Sequence, residues 1–246
     1  MARGRRIVKT IEIEECTVRT AAEEFFEHNR VKGLATATQK SYKNYVNTFI
    51  KWLGEDTMLN EITVRTMDKY ILYSEERGNK AVSIATIMVH LRRYFNFCNS
   101  RGYMERIEIT IPKYEAELKE PYTDEEMKRL LKKPTSDNWV ELRNWCMINY
   151  FFSTGQRLSS VLHIKVRDLD LISGKVKLTW NKDKKQKYMP LSTALVNILR
   201  EYIYLSELVD EDYLFPEYEG KQLKRRSAED AMSDYNHSRG VSKTGI

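Results

Sequence analysis

The segment TQKSYKNYVNTFIKWLG (38–54) constrains the fold more than any other stretch. Tyr42, Tyr45, Val46, Phe49, Ile50 and Leu53 fall at i, i+3, i+4, i+7, i+8 and i+11. On a 3.6-residue helix this spacing brings all six to one side, a stripe that must be buried against something. Gly54 marks the helix end, and Lys40, Lys43 and Lys51 lie off the stripe. Three neighbouring patterns supply partners. Thr17 has the chemistry of a cap for a helix through AAEEFFEHNR, ended by Gly33. A further helix runs from Thr63 to just before Gly78. Another starts at Ser83, with Ile84, Ile87, Met88, Leu91, Phe95 and Cys98 on one face, and ends at Gly102. Arg92 and Arg93 are displaced from that face. Four helices joined by short turns are enough for an independent bundle.

The texture then changes. Residues 103–122 carry two prolines and no helical stripe, which predicts an extended connection. Thr123 and Glu126 have capping-box spacing and open a new helix. Trp139 to Phe152 reads as an apolar helix and 158–166 as a short one. KVKLTW (175–180) and KYMPL (187–191) alternate around a lysine-rich turn, a hairpin pattern. A helix at 193–206, an extended piece from Tyr213 to Pro216 and a last helix capped by Ser227 follow. The expected class is mainly α: a four-helix domain, then a mixed α+β domain with a small antiparallel sheet. The expected boundaries are a basic arm or strand over 1–15, a helical domain over 16–112, a linker over 113–122 and a second domain over 123–246.

Composition narrows the class. Of 246 residues, 41% are hydrophobic and 31% charged, which suits a packed soluble chain and disfavours disorder. No apolar run approaches a membrane span, and MARGRRIVKT has no apolar stretch after its arginines. Cys16, Cys98 and Cys146 are widely spaced and read as reduced core thiols of a cytoplasmic protein, and the four histidines show no metal-ligand spacing. Neither a metal nor another cofactor is expected. The net charge of +6 favours a polyanionic partner, nucleic acid above others, but the excess is modest and its location must decide.

Two places concentrate candidate chemistry. In STGQRLSSVLHIKVRDLDL (153–171), Gly155 suits a helix C-terminus, and Arg157 then stands at the start of the next helix. A guanidinium beside free backbone N–H groups makes an anion site. The alternative is an arginine that caps the preceding helix or pairs with Asp168 or Asp170. In NKDKKQKYMPLS (181–192), Lys182, Lys184, Lys185 and Lys187 crowd one turn. That turn either places a lysine at a phosphate or is simply solvated, a device against edge pairing.

Taken together, the order turn, Arg157, short helix, Asp168-Leu169-Asp170, hairpin, Lys182, Pro190-Leu191 resembles the tyrosine recombinases, the phage-type integrase family. The likeness is strongest to integrases of phages and conjugative transposons of Gram-positive bacteria, and it extends over nearly the whole chain. The entry helix TATQKSYKNYVNTFIKWL resembles that of the family's SAM-like core-binding domain. The resemblance implies DNA strand cleavage and rejoining through a 3′-phosphotyrosyl intermediate, without metal or ATP. Arg157 would then be one of two catalytic arginines, and Lys182 the general acid, with Lys184 and Lys185 as rivals. Double-stranded DNA would be the partner, gripped by a clamp of the two domains and in a homo-oligomer. Lys40, Lys43, Arg92 and Arg93 are the backbone-contact candidates of the bundle, and Lys184, Lys185, Lys221, Lys224, Arg225 and Arg226 those of the second domain. The family often carries glutamate where Ser160 stands here. Its His-x-x-Arg box and nucleophilic tyrosine have no counterpart before Ile246. His237-Ser238-Arg239 is one residue short, and Tyr235 reads as a packing or surface residue rather than a nucleophile. The expectation is a truncated chain that binds DNA without cleaving it. A non-catalytic DNA-binding protein on the same scaffold is the alternative, and a helical protein–protein adaptor ranks last.

Overall fold

The computed structural model describes residues 15–115, 118, 120–180 and 187–243. The chain divides into two compact units, Met1–Leu118 and Lys119–Ile246. The proposed arm falls on residues 1–15, of which 1–14 lie outside the described residues.

In the first unit, α1 (Val18–Val31), α2 (Thr36–Leu53), α3 (Val64–Glu76) and α4 (Ala81–Arg101) enclose one core. The stripe of α2 buries Val46, Phe49 and Ile50 fully. Phe49 meets Tyr70 of α3 and Phe95 of α4 edge-on, with ring centroids 4.9 and 5.7 Å apart. α4 is the central helix. One side carries Ile84, Met88, Leu91 and Phe95. A second side carries Tyr94 and Phe97, which pack on Phe25 of α1. The Tyr94 hydroxyl is buried yet satisfied, donating to the Val18 carbonyl at 2.7 Å. α4 begins at Ala81, two residues before the expected Ser83, because the Lys80 carbonyl accepts from the amides of Ser83 and Ile84.

In the second unit, α6 (Trp139–Thr154) is the core helix. Every residue from Arg143 to Phe151 is buried. α5 (Asp124–Leu131), α8 (Thr193–Leu205) and α9 (Arg225–Ser238) pack around it. Arg143 is a buried cation satisfied by carbonyl oxygens: Nη1 donates to Pro216 at 2.8 Å, and Nε and Nη2 donate to the Asn144 side chain. This ties the extended 213–216 piece to α6. Asn138 caps α6, its Oδ1 accepting from the amides of Val140 (2.9 Å) and Glu141 (3.3 Å). Asn138→Ala leaves both donors without that acceptor and is expected to cost about 1 kcal/mol in urea unfolding.

Three expectations are corrected. The 158–166 helix is one turn, α7 (Leu158–Val161), followed by a 3₁₀ turn at Val166–Asp168. The chain is diverted there by pairing: Lys165 bridges Tyr213, and Leu214 donates to the Ile164 carbonyl. The expected two-stranded hairpin is part of a three-stranded sheet, since β1 (Leu169–Asp170) pairs antiparallel with β2 (Lys175–Leu178), which pairs with β3 (Lys187–Pro190). Ser227 caps nothing. α9 starts two residues earlier at Arg225, with Lys224 in the capping position.

Candidate functional site

The turn after α6 is built for a sharp exit. The Gly155 amide donates to the Phe151 carbonyl at 2.8 Å, and Gly155 itself adopts φ +59°. A side chain there would meet nothing within 4 Å, so glycine is required by the backbone conformation alone. Thr154 closes the turn: its Oγ1 donates to the Tyr150 carbonyl and accepts from the Gln156 amide. Arg157 then occupies the capping position of α7, its carbonyl taking the amides of Ser160 and Val161. Its side chain caps nothing. The guanidinium is exposed, and among the described residues it has no hydrogen-bond or ion-pair partner.

The acids that offered a bland explanation are engaged elsewhere. Asp168 Oδ2 accepts from the Lys165 amide, and Asp170 Oδ1 from the Ser173 amide, both at 2.9 Å. The Ser173 amide is also the main reason the Asp170 carboxyl is held below its ordinary range. Among the described residues Arg157 is therefore a cation without a counter-charge, presented by a hydrogen-bonded turn. The anion-binding element is the guanidinium, because a single helical turn adds little dipole.

The hairpin is fastened at both of its inner ends, to Gln156 in this turn and to His163 just past α7. Strand alternation puts Val176, Leu178 and Trp180 on one face, together with Met189 and Leu191 across the register. Met189 Sδ receives the Gln156 side-chain N–H at 2.9 Å, while Gln156 Oε1 accepts from Tyr150. Trp180 lies flat on His163, with centroids 4.3 Å apart and planes 6° from parallel. His163 is oriented in turn by an Nδ1 contact of 2.7 Å to the Ser159 carbonyl. Residues 156 and 163 thus hold the two chain ends that flank residues 181–186. Lys182, Lys184 and Lys185 belong to that segment and lie outside the described residues.

The distributed cations differ in their freedom. In the first unit Lys40 and Arg92 are exposed, and Lys43 lies over the Phe26 ring at 5.7 Å. Arg93 shares a stripe of α4 with His90, Phe97 and Arg101, facing Tyr42 and Tyr45 of α2 and the end of α1. In the second unit Arg225 pairs with Glu229 and Arg226 with Asp230, both i,i+4, and Lys221 pairs with Glu219. Exposed i,i+4 pairs are worth only about 0.3–0.5 kcal/mol, so a phosphate can displace them. Lys224 is exposed. Tyr235 is no surface nucleophile: it is 3% exposed, donates to the Leu130 carbonyl, and burial pushes its hydroxyl up to about 12. Arg239 of the His237-Ser238-Arg239 run is committed to Glu141 at 2.8 Å.

Sequence reasoning missed Gln156, His163, Trp180 and Met189. The alternation of both strands was the available signal for Trp180 and Met189. For Gln156 and His163 there was none, because their partners, Met189 and Trp180, lie far off in the sequence on another element.

Comparison with known proteins accords with this arrangement. Residues 121–244 match the phage integrase family model, and residues 22–102 match the phage integrase N-terminal SAM-like domain. Tyrosine recombinase XerD of Pseudomonas aeruginosa is 26% identical over 205 residues, 80% of this chain and 68% of that protein. XerD of Proteus mirabilis is 24% identical over 210 residues, covering 80% and 65%. The chain thus spans about two thirds of these relatives. Among solved structures, a lambda integrase dimer bound to a COC′ core site superposes with a TM-score of 0.73 at 16% identity, covering 94% of this chain and 66% of that one. A Tn1549 transposon integrase in complex with circular intermediate DNA gives 0.76 at 11% identity, covering 94% and 81%. Below 25% identity these superpositions speak to the fold alone.

Proposed function

The chain belongs to the phage integrase family, and on that premise we propose that it serves site-specific DNA recombination as a tyrosine recombinase acting on double-stranded DNA. The observation that carries this reading is Arg157: exposed, unpartnered among the described residues, and set between Gln156 and His163, which contact Met189 of β3 and Trp180 just past β2. In the reaction a tyrosine hydroxyl attacks phosphorus, a 3′-phosphotyrosyl bond forms and the 5′-oxygen departs. The non-bridging oxygens gain charge in the transition state, and a fixed guanidinium meets it. Lys182 gives the departing 5′-oxygen its proton. No tyrosine among the described residues is assigned the attack. Lys40, Lys43, Arg92, Arg93 and Lys224 make backbone contacts, and Arg225 and Arg226 join them by exchanging intrahelical carboxylates for phosphates. We place the protein in the cytoplasm, assembling as a homo-oligomer on its recombination sites. Among the described residues no helix is long and apolar enough to cross a membrane.

The test is to select a tight-binding duplex from random sequence and, in a protein that supplies the attacking tyrosine, look for a protein–DNA adduct that survives denaturant. Such an adduct, lost in Arg157→Ala, supports recombination. Tight binding with no adduct favours a second reading, a non-catalytic DNA-binding protein on this scaffold. Burial of Tyr235 and the Arg239–Glu141 pair are the observations on its side.

The stack of His163 on Trp180 anchors the described residue that leads into the lysine segment. His163→Ala or Trp180→Ala is expected to lower the cleavage rate constant about 10- to 100-fold with duplex affinity little changed. Trp180→Phe, which keeps a flat ring, should recover most of the rate. Equal losses in rate and affinity would mean that the stack only supports the fold.

A further inference from the structure

A second concentration of unneutralised charge lies in the first unit, in a cavity of about 180 Å³ between the C-terminal turns of α1 and α4. Its lining includes His28, Asn29 and Lys32 from the α1 end, and Arg93, Asn96 and Ser100 from α4. Helix C-termini attract cations, and that accounts for Lys32 and for Arg101, which lies over the Phe97 ring at 5.2 Å. It does not account for Arg93, two turns before the end of α4. Neither Lys32, Arg93 nor Arg101 has an ion-pair partner among the described residues, whereas Arg19 and Arg30 of the same unit are each paired with a glutamate. The cations also act on their neighbour. Burial first, then Lys32, Arg101 and Arg93, hold His28 below its ordinary range, so it stays neutral at pH 7.

The wall of the cavity is unfinished as well. Asn29 is 5% exposed, and its Nδ2 meets no acceptor among the described residues. A buried donor left in that state is destabilising, and an oxyanion oxygen would relieve it. The cavity volume is ample for one phosphate group with part of its hydration.

We infer that this cavity is a seat for a single phosphate group, gripped by Lys32 and Arg93 and backed by Asn29, that takes one backbone phosphate of the bound duplex. The duplex assignment rests on the DNA-binding reading above; the anion seat itself does not. A phosphate here contacts no base and fixes the bundle's register on the backbone without reading sequence.

The seat is tested on the 246-residue protein by following the His28 ring in NMR pH titrations, alone, with inorganic phosphate, and with duplex. Inorganic phosphate should raise the pH at which His28 titrates by about one unit, a tenfold change in proton affinity. Lys32→Gln and Arg93→Gln should abolish that response. Both residues are exposed, so the variants keep the fold, and an unchanged unfolding transition verifies this. Duplex should prevent the response to added phosphate, and Arg93→Gln should reduce the salt slope of duplex affinity by about one. A His28 response to phosphate that duplex does not block would overturn the backbone assignment in favour of a free anion. A His28 that answers neither ligand, while anisotropy still reports duplex binding, would overturn the seat and leave the proposed function standing.

Discussion

In a protein that supplies the attacking tyrosine, Arg157→Ala is expected to slow covalent strand cleavage about 100- to 1,000-fold, the range set by removing one fixed donor from a developing oxyanion. Duplex affinity should fall far less, because one exposed phosphate contact is a small part of a distributed interface. Stability should stay within about 0.5 kcal/mol, since the side chain contributes no capping bond and no ion pair in the described structure. That third expectation gives the test its force. Had the guanidinium paired with Asp168 or Asp170, its removal would have freed a carboxylate and blurred structural with chemical loss. Both acids are held instead by backbone amides. Arg157→Lys should recover little, because an ammonium keeps the charge but cannot take two oxygens in one plane. Rate constants for adduct formation on the selected duplex, measured beside anisotropy and urea unfolding, separate the three quantities.

Lys182→Ala is expected to slow cleavage by about 100- to 10,000-fold, the usual worth of a positioned general acid. The defect should depend on the leaving group. A substrate whose bridging 5′-oxygen is replaced by sulfur leaves as a thiolate and needs no proton, so it should be cleaved at nearly the same rate by the variant and its parent. Lys184→Ala and Lys185→Ala should show neither the large loss nor the rescue. If sulfur rescues Lys184→Ala or Lys185→Ala instead, the proton comes from that neighbour, and the assignment to Lys182 is wrong.

Much of the fold was legible because its helices are one-sided. The α2 stripe from Tyr42 to Leu53 appears in the structure as read, and Gly54, Gly102 and Gly155 end their helices with positive φ. α4 was only half legible. Tyr94 and Phe97 face α1 across a second buried side, and two overlapping stripes no longer show a single period. The one-turn length of α7 was hidden for a different reason. Its apolar residues continue at helical spacing through Val166, and what stops the helix is pairing of Lys165 with Tyr213, 48 positions away. The start of α9 was misplaced because serine is a strong capping residue in general. Here the Lys224 carbonyl accepts from the Ala228 amide, so the helix is already under way when Ser227 is reached.

The candidate site divided along the same line. Arg157 could be singled out from its glycine turn, but that it stands unpaired could not, because this depends on where two distant carboxylates find their donors. The tethers from Gln156 to Met189 and from His163 to Trp180 are long-range contacts with no local signature. Arg225 and Arg226 looked as promising as Arg93. Glu229 and Asp230 at i+4 were visible in the sequence and foretold their pairing.

The most direct measurement is a double-mutant cycle on duplex affinity with Arg157→Ala, Lys182→Ala and the double variant, at one fixed salt concentration. If both side chains meet the same phosphate, the losses will not add: the double variant will bind more tightly than the sum of the single losses requires, by about 0.5–3 kcal/mol. Losses that add to within about 0.5 kcal/mol would place the two cations on separate phosphates and contradict a shared centre.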